Sequence, residues 1–290
     1  MQGRITKLLS DLYTVETKDN TYECKARGVF RNNKITPLVG DLVVIDIDKK
    51  IISEIQERKN SLVRPPLANI DQVMIITSVK KPDFQANLLD KMISMLEYNN
   101  ITPIICFTKM DLLSKSEKTK IKKIIKYYKK IGYKVFFNTQ IRKIKKVFKN
   151  RLTVFAGQSG AGKSTLLNKL DKNLKLKTGE ISNALNRGKH TTRHVELFNL
   201  FKGLVADTPG FSSFDLKEIP KDKLSDTFIE IRKNGEYCEY KNCSHINEKE
   251  CYVKKLVKEN KILETRYENY KRFVKEGEWN GTNININIKY

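Results

Sequence analysis

The segment GQSGAGKS, Gly157 to Ser164, narrows the possible folds more than any other stretch of this chain. It meets the pattern G-x-x-x-x-G-K-[ST] at every fixed position: Gly157, Gly162, Lys163 and Ser164. The apolar run LTVFA precedes it and the helix-forming STLLNKL follows, with Gln158, Ser159, Gly160 and Ala161 inside the loop and Thr165 just beyond. Strand, loop and helix in that order are what phosphate binding needs. Glycines let backbone N–H groups converge on phosphate oxygens at a helix N-terminus, while the lysine reaches the β and γ phosphates. Ser164 is expected to ligate Mg²⁺, a hard cation that takes oxygen donors.

Downstream, DTPG closes the apolar run GLVAD. Asp207 stands where such domains place the acid of the Mg²⁺ shell, and the Gly210 N–H is expected to meet the γ-phosphate. Between the two motifs lies RGKHTTRHVEL. A switch-loop threonine completes the Mg²⁺ shell while γ-phosphate is present; Thr192 is the first choice here and Thr191 the second.

The base reader comes earlier in the chain. TKMD, Thr108, Lys109, Met110 and Asp111, ends the apolar run ITPIICF, where ligand-binding loops of open α/β sheets lie. The Asp111 carboxylate can accept from N1–H and the exocyclic N2–H₂ of guanine, an arrangement adenine does not offer. The Lys109 stem would cover the base face. Thr108 stands where Asn is usual, and Asn138-Thr139 follow YKVFF where a Ser-Ala pair usually backs the base. Both departures concern affinity for guanine.

Periodicity supplies the frame. Residues 1 to about 60 hold short alternating runs such as GRITKLL, YTVET, YECKA, LVVIDID and IISEI, separated by turn-like KDN, RNNK and TPLVGD. Such a string predicts a small barrel, of oligonucleotide-binding (OB) type first and SH3-like second. RKNSLVRPPLANID, with Pro65 and Pro66, reads as a linker. From there strands and helices alternate through GLVAD, which predicts a mostly parallel sheet with helices on both faces. After about Pro220 the chain reads as helical. The expected fold is therefore multidomain α/β: an OB-like barrel over 1–62, a P-loop domain over 63–218 and a helical, cysteine-bearing domain over 219–290.

Cys238, Cys243, His245 and Cys251 fall in the spacing C-x₄-C-x-H-x₅-C. Three thiolates and one imidazole saturate a tetrahedral Zn²⁺, so one structural zinc is expected, with no open position for catalysis. The following stretch, with Leu256, Leu263, Tyr267, Tyr270 and Val274 on one helical face, would pack on that knot. Cys24 and Cys106 lie in apolar runs and read as buried side chains. The net charge of +23 favours a polyanionic partner. No apolar run approaches the roughly 20 residues that span a bilayer, so no membrane partner and a cytoplasmic location are expected.

Base reader, supporting loop, phosphate loop, switch threonine and DTPG form the ordinary GTPase order rotated, a circular permutation. Strands that pair in a sheet need not be consecutive, so the same site can assemble from the rotated chain. This order, with GKHTTRHVEL and LVADTPGFSS, resembles the ribosome small-subunit-dependent GTPases, the RsgA or YjeQ family, along almost the whole chain. The resemblance implies a GTPase that binds the small ribosomal subunit and its rRNA, assists late maturation of that subunit, and turns GTP into GDP and phosphate with the subunit as stimulus. A monomer is expected. The resemblance points to His190 as the residue that orients the attacking water, since Phe211 follows DTPG where many GTPases carry Gln. Three other readings stay open: an RNA-binding module that holds GTP as a structural ligand, a permuted GTPase of the large subunit, and an ATP-dependent kinase-like enzyme.

Overall fold

The computed structural model describes residues 1–28, 30, 35–171, 195–207 and 216–281, with the backbone alone for 207 and 277–281. Its first five strands are β1 (Gln2–Leu9), β2 (Leu12–Glu16), β3 (Thr21–Ala26), β4 (Leu42–Asp46) and β5 (Ile51–Ile55). Alternation turns Ile5, Tyr13, Val15, Cys24, Val43, Ile45 and Ile52 inward, and all are buried. β1 pairs antiparallel with both β2 and β4, and β3 pairs in parallel with β5. The ring β1-β2-β3-β5-β4-β1 closes a five-strand barrel, the OB-like option of the two.

The proline-bearing stretch is more than a linker. β6 (Ser61–Leu62) and β7 (Leu67–Ala68) form a hairpin that docks on the barrel: Ala68 N–H donates to Val39 O at 2.9 Å and Asn69 Nδ2 to Gly40 O at 3.1 Å. Gly40 allows this approach, since a Cβ there would lie 2.1 Å from Ala68 O. Beneath it, fully buried Asp41 takes Arg58 through both carboxylate oxygens at 2.7 Å. Two-residue strands are too short to show an alternation, which is why the pattern here reads as a break.

The second domain contains β8 (Gln72–Ser78), α1 (Ala86–Tyr98), β9 (Thr102–Thr108), α2 (Lys115–Lys130), β10 (Lys134–Phe137), α3 (Ile141–Val147), β11 (Leu152–Ala156), α4 (Lys163–Leu170), β12 (Glu196–Leu200) and β13 (Gly203–Asp207). Its strands lie in the order β10-β9-β8-β11-β13-β12, parallel except for β12, which runs antiparallel to β13. Apolar side chains of the central strands alternate between two clusters. Val73, Ile75, Ile105 and Val154 pack with α1 and α2, while Met74, Ile104, Cys106 and Phe155 pack with α3 and α4. Both faces are covered, so these strands carry the continuous apolar runs seen in the sequence. β12 extends what the sequence suggests is a loop ending in VEL, because one side of it packs only partly and its pattern is mixed. A bridge between Lys7 of β1 and Glu196 of β12 joins barrel to sheet, and the two side chains pair at 3.2 Å.

Helices α5 (Ile229–Gly235), α6 (Tyr252–Lys258) and α7 (Glu264–Gly281) form the third unit. Leu256, Tyr267, Tyr270 and Val274 are buried on its inner face, and Leu263 is half-buried. This unit docks on α1 and α2 through a charge cluster. Arg266, 1% exposed, donates to both Glu230 oxygens at 2.7 and 2.9 Å and to Asp90 Oδ1 at 2.6 Å. Tyr128 Oη donates to the same Asp90 Oδ1 at 2.5 Å, and Asn269 Nδ2 donates to Oδ2 at 2.6 Å. The guanidinium also lies over the rings of Phe228 and Tyr128, at 4.6 and 5.4 Å.

Candidate functional site

All five parallel strands end at one border of the sheet, and the sequence order reverses between β8 and β11. Open α/β sheets bind ligands in the crevice at such a switch point. The phosphate loop leaves β11 there. Gly157 crosses β8 so closely that a Cβ would meet Ile76 O at 2.2 Å, and its φ of 141° excludes other residues as well. Gly160 (φ 73°) and Gly162 (φ 97°) take left-handed turns, and Gly162 caps the N-terminus of α4. Ala161 and Ser164 are buried, and Lys163 Nζ folds onto the loop carbonyls of Gly157 (2.5 Å) and Gln158 (2.9 Å). Burial lowers the Lys163 pKa below the ordinary lysine value. An anion in the loop would oppose that shift.

The base reader lies against this loop. Thr108, 1% exposed at the end of β9, donates its hydroxyl to Ala161 O at 2.6 Å. Lys109 takes a left-handed backbone (φ 60°) and donates Nζ to Gly160 O at 2.8 Å and to Lys81 O. Met110 and Asp111 follow in a one-turn 3₁₀ helix, Met110 half-buried and Asp111 exposed. Two segments about fifty residues apart in sequence thus share hydrogen bonds, which is the closure that a rotated chain requires. Asn138 N–H donates to Phe107 O at 3.1 Å, so the loop after β10 begins beside TKMD. Asp207 ends β13, on the other side of β11 from β8. His190, Thr191, Thr192, Gly210 and Phe211 lie outside the described residues.

Away from this crevice, Cys238, Cys243, His245 and Cys251 bring their ligand atoms within 4.8 Å of one another. Cys238 Sγ lies 3.8 Å from Cys251 Sγ, and His245 Nδ1 lies 3.6 and 3.5 Å from those two sulfurs. A tetrahedron with Zn–S bonds of about 2.3 Å has sulfurs about 3.8 Å apart, so donor set and spacing both fit zinc. Burial, chiefly, pushes the Cys243 thiol up to about 12. A divalent cation is the group that would let thiolates form here. His245 is aimed by its left-handed backbone (φ 61°), and Gly235 makes room for its ring, since a Cβ there would lie 3.1 Å from Nε2. Tyr267 and Tyr270 of α7 donate to the carbonyls of His245 (2.7 Å) and Ser244 (2.6 Å), tying the knot to the helix.

The chain is similar to known proteins along almost its whole length. The family model described as RsgA GTPase matches residues 55–217, and the RsgA N-terminal domain matches residues 2–53. A Bacillus cereus protein named small ribosomal subunit biogenesis GTPase RsgA is 47% identical over 283 residues, covering 95% of this chain and 97% of its own. The chain belongs to the RsgA GTPase family. A Pediococcus pentosaceus protein of the same name is also 47% identical, over 94% of this chain and 91% of its own. Among solved structures, YloQ, described as a circularly permuted GTPase, superposes with a TM-score of 0.82 at 37% identity, covering 100% of this chain and 96% of that one. YjeQ from Thermotoga maritima gives 0.82 at 31% identity, over 95% and 98%.

In this RsgA-type chain the rotation is visible in the sheet itself. β8, β9 and β10 with the base reader precede β11, β12 and β13 with the phosphate loop, and the two halves join side by side where β8 pairs with β11. Sequence reasoning about TKMD leaves Thr108 with one short hydroxyl to use; the structure shows where that hydroxyl goes, into the phosphate loop. It misses Lys80, which follows β8 and pairs with Glu117 at 2.9 Å. The signal available was SKSE, a capping-box pattern at the start of α2: Ser114 and Glu117 cap each other's backbone, and Glu117 turns its carboxylate to Lys80.

Proposed function

We propose that this GTPase binds the small ribosomal subunit and assists its late maturation, hydrolysing GTP to GDP and phosphate when the subunit stimulates it. The observation that carries the nucleotide half is the pair of hydrogen bonds from Thr108 and Lys109 to Ala161 and Gly160. They support a reading in which the Asp111 carboxylate, next along TKMD, and the phosphate loop serve one ligand. The subunit enters from the names of the relatives that match over nearly the full chain.

In this reading Asp111 accepts from the guanine edge and Lys109 covers the ring, while Met110 between them packs on the core. The backbone of Gly157 to Thr165 and Lys163 hold the phosphates. Ser164, Asp207 and Thr192 would hold Mg²⁺, which when bound offsets charge on the β and γ oxygens. The Gly210 N–H would meet the γ-phosphate and His190 would orient water, a role an apolar Phe211 ring does not fill. Residues 1–62 hold RNA, 63–218 turn over GTP, and 219–290 carry one structural zinc on Cys238, Cys243, His245 and Cys251. A soluble cytoplasmic monomer suits this role. Among the described residues no helix is long and apolar enough to cross a membrane.

The test is GTP hydrolysis titrated with purified ribosomal subunits of each size. Stimulation by small subunits alone supports the reading. Stimulation by large subunits instead, or none by either, contradicts it.

A further inference from the structure

Between Ser114 and Arg151 the chain carries fifteen Lys/Arg and one acid, Glu117, so this stretch holds more than half of the net charge of +23. Glu117 is already engaged: hydrogen bonds from Lys80 and the Ser114 backbone hold its carboxyl down to about 2. The fold gathers the remaining charges at one border. Among the described residues β10 is the terminal strand of the sheet and pairs with β9 alone. α2 packs on one face of the sheet through Ile121, Ile125 and Tyr128, and α3 on the other through Ile144 and Phe148.

Lys122, Lys126 and Lys129 recur at four and three residues, so they share one exposed line on α2. Lys129 Nζ lies over the Phe137 ring of β10 at 5.7 Å, which sets that line along the free sheet edge. Lys134 is exposed on β10 itself, and Arg142 and Lys146 are exposed one turn apart on α3. None of these six has a carboxylate partner among the described residues.

From this geometry we infer that the β10 border is a surface for the RNA phosphate backbone, at the opposite end of the sheet from the barrel. A plain solvating role explains less. The other long surface helix, α7, mixes signs instead, with Lys271–Glu268 at 2.6 Å and Arg272–Glu276 at 3.0 Å. Guarding a β edge against pairing takes a lysine or two. A single-sign rim on both sides of the edge instead creates a field for a polyanion. The aromatic residues of α2, Tyr127 and Tyr128, are buried, so that helix offers no exposed ring on which a base could stack. Such a surface grips phosphates without reading bases.

This inference rests on the small-subunit reading above, and its test separates the two. Binding to purified small subunits is measured across a salt series for the wild type, for Lys122→Gln/Lys126→Gln/Lys129→Gln, and for a control triple, Lys255→Gln/Lys258→Gln/Lys261→Gln. Each lost phosphate contact lowers the slope of log K against log salt by about 0.7–0.9, so the α2 triple is expected to lower it by about 2. GTP hydrolysis by the protein alone and the thermal midpoint stay at wild-type values. An α2 triple with the wild-type slope, or a control triple with an equal loss, overturns the inference while leaving the subunit as partner. Failure of the wild type to bind small subunits overturns the reading of function, and the inference with it.

Discussion

Replacing Arg266 by Ala strands two carboxylates that are almost wholly buried, Asp90 at 0% and Glu230 at 5% exposure. Breaking a buried ion pair from one side costs about 3–5 kcal/mol, because the partner charges stay dry and uncompensated. Here one cation serves two acids and also packs on Phe228 and Tyr128, so the upper half of that range is expected. With a urea m-value of about 3 kcal/mol/M, the unfolding midpoint falls by about 1–2 M. The pH dependence has a definite sign. Burial raises Asp90 above the usual carboxylate range, and Arg266 pulls it back. Without Arg266 the folded-state pKa rises further. The folded state then takes up a proton that the unfolded state releases, so the deficit is largest at alkaline pH and shrinks as pH falls through the raised value. Urea unfolding followed by circular dichroism at pH 5 and pH 8 reads both effects. A midpoint within about 0.2 M of wild type at pH 8 would refute the argument, as would a deficit that grows on acidification.

Thr108→Val removes the hydroxyl that reaches Ala161 O and leaves that carbonyl unpaired, which costs about 1–2 kcal/mol. Titration with fluorescent GDP should show affinity falling by about 5- to 30-fold, whereas unchanged affinity would mean the brace carries nothing. Asp111→Asn replaces an acceptor by an amide that can also donate, so GTP affinity is expected to drop at least about 100-fold while a xanthine nucleotide gains; equal loss for both would show a folding defect. Cys251→Ser should lower zinc, measured by elemental analysis, from one per chain to well below one. It should also loosen α7, whose Tyr267 and Tyr270 hold the knot.

Local motifs are legible in this sequence because their chemistry demands fixed spacing: a phosphate loop needs its glycines, and a zinc knot needs its thiols. The barrel shows through because half-buried strands alternate, as in Val43 and Ile45. Other features depend on partners far along the chain and leave no local mark. Arg266 meets Asp90 across 176 residues, and no pattern around either announces the pair. The β6–β7 hairpin is written in two-residue strands, and β12 in a strand of mixed pattern with one thinly covered side. Thr108 is a departure from the usual Asn in sequence, yet its hydroxyl meets the phosphate loop once the sheet places β9 and the β11 loop side by side.

The central claim is that Asp111 and Lys163, which lie in reverse of the usual order along the chain, act on one nucleotide. A crystal structure of the full chain with GDP and Mg²⁺ tests it most directly. The account predicts the Asp111 carboxylate on the N1 and N2 edge of the base and the Lys163 ammonium on the phosphates of the same molecule. A nucleotide held by the phosphate loop with its base turned away from TKMD would contradict it.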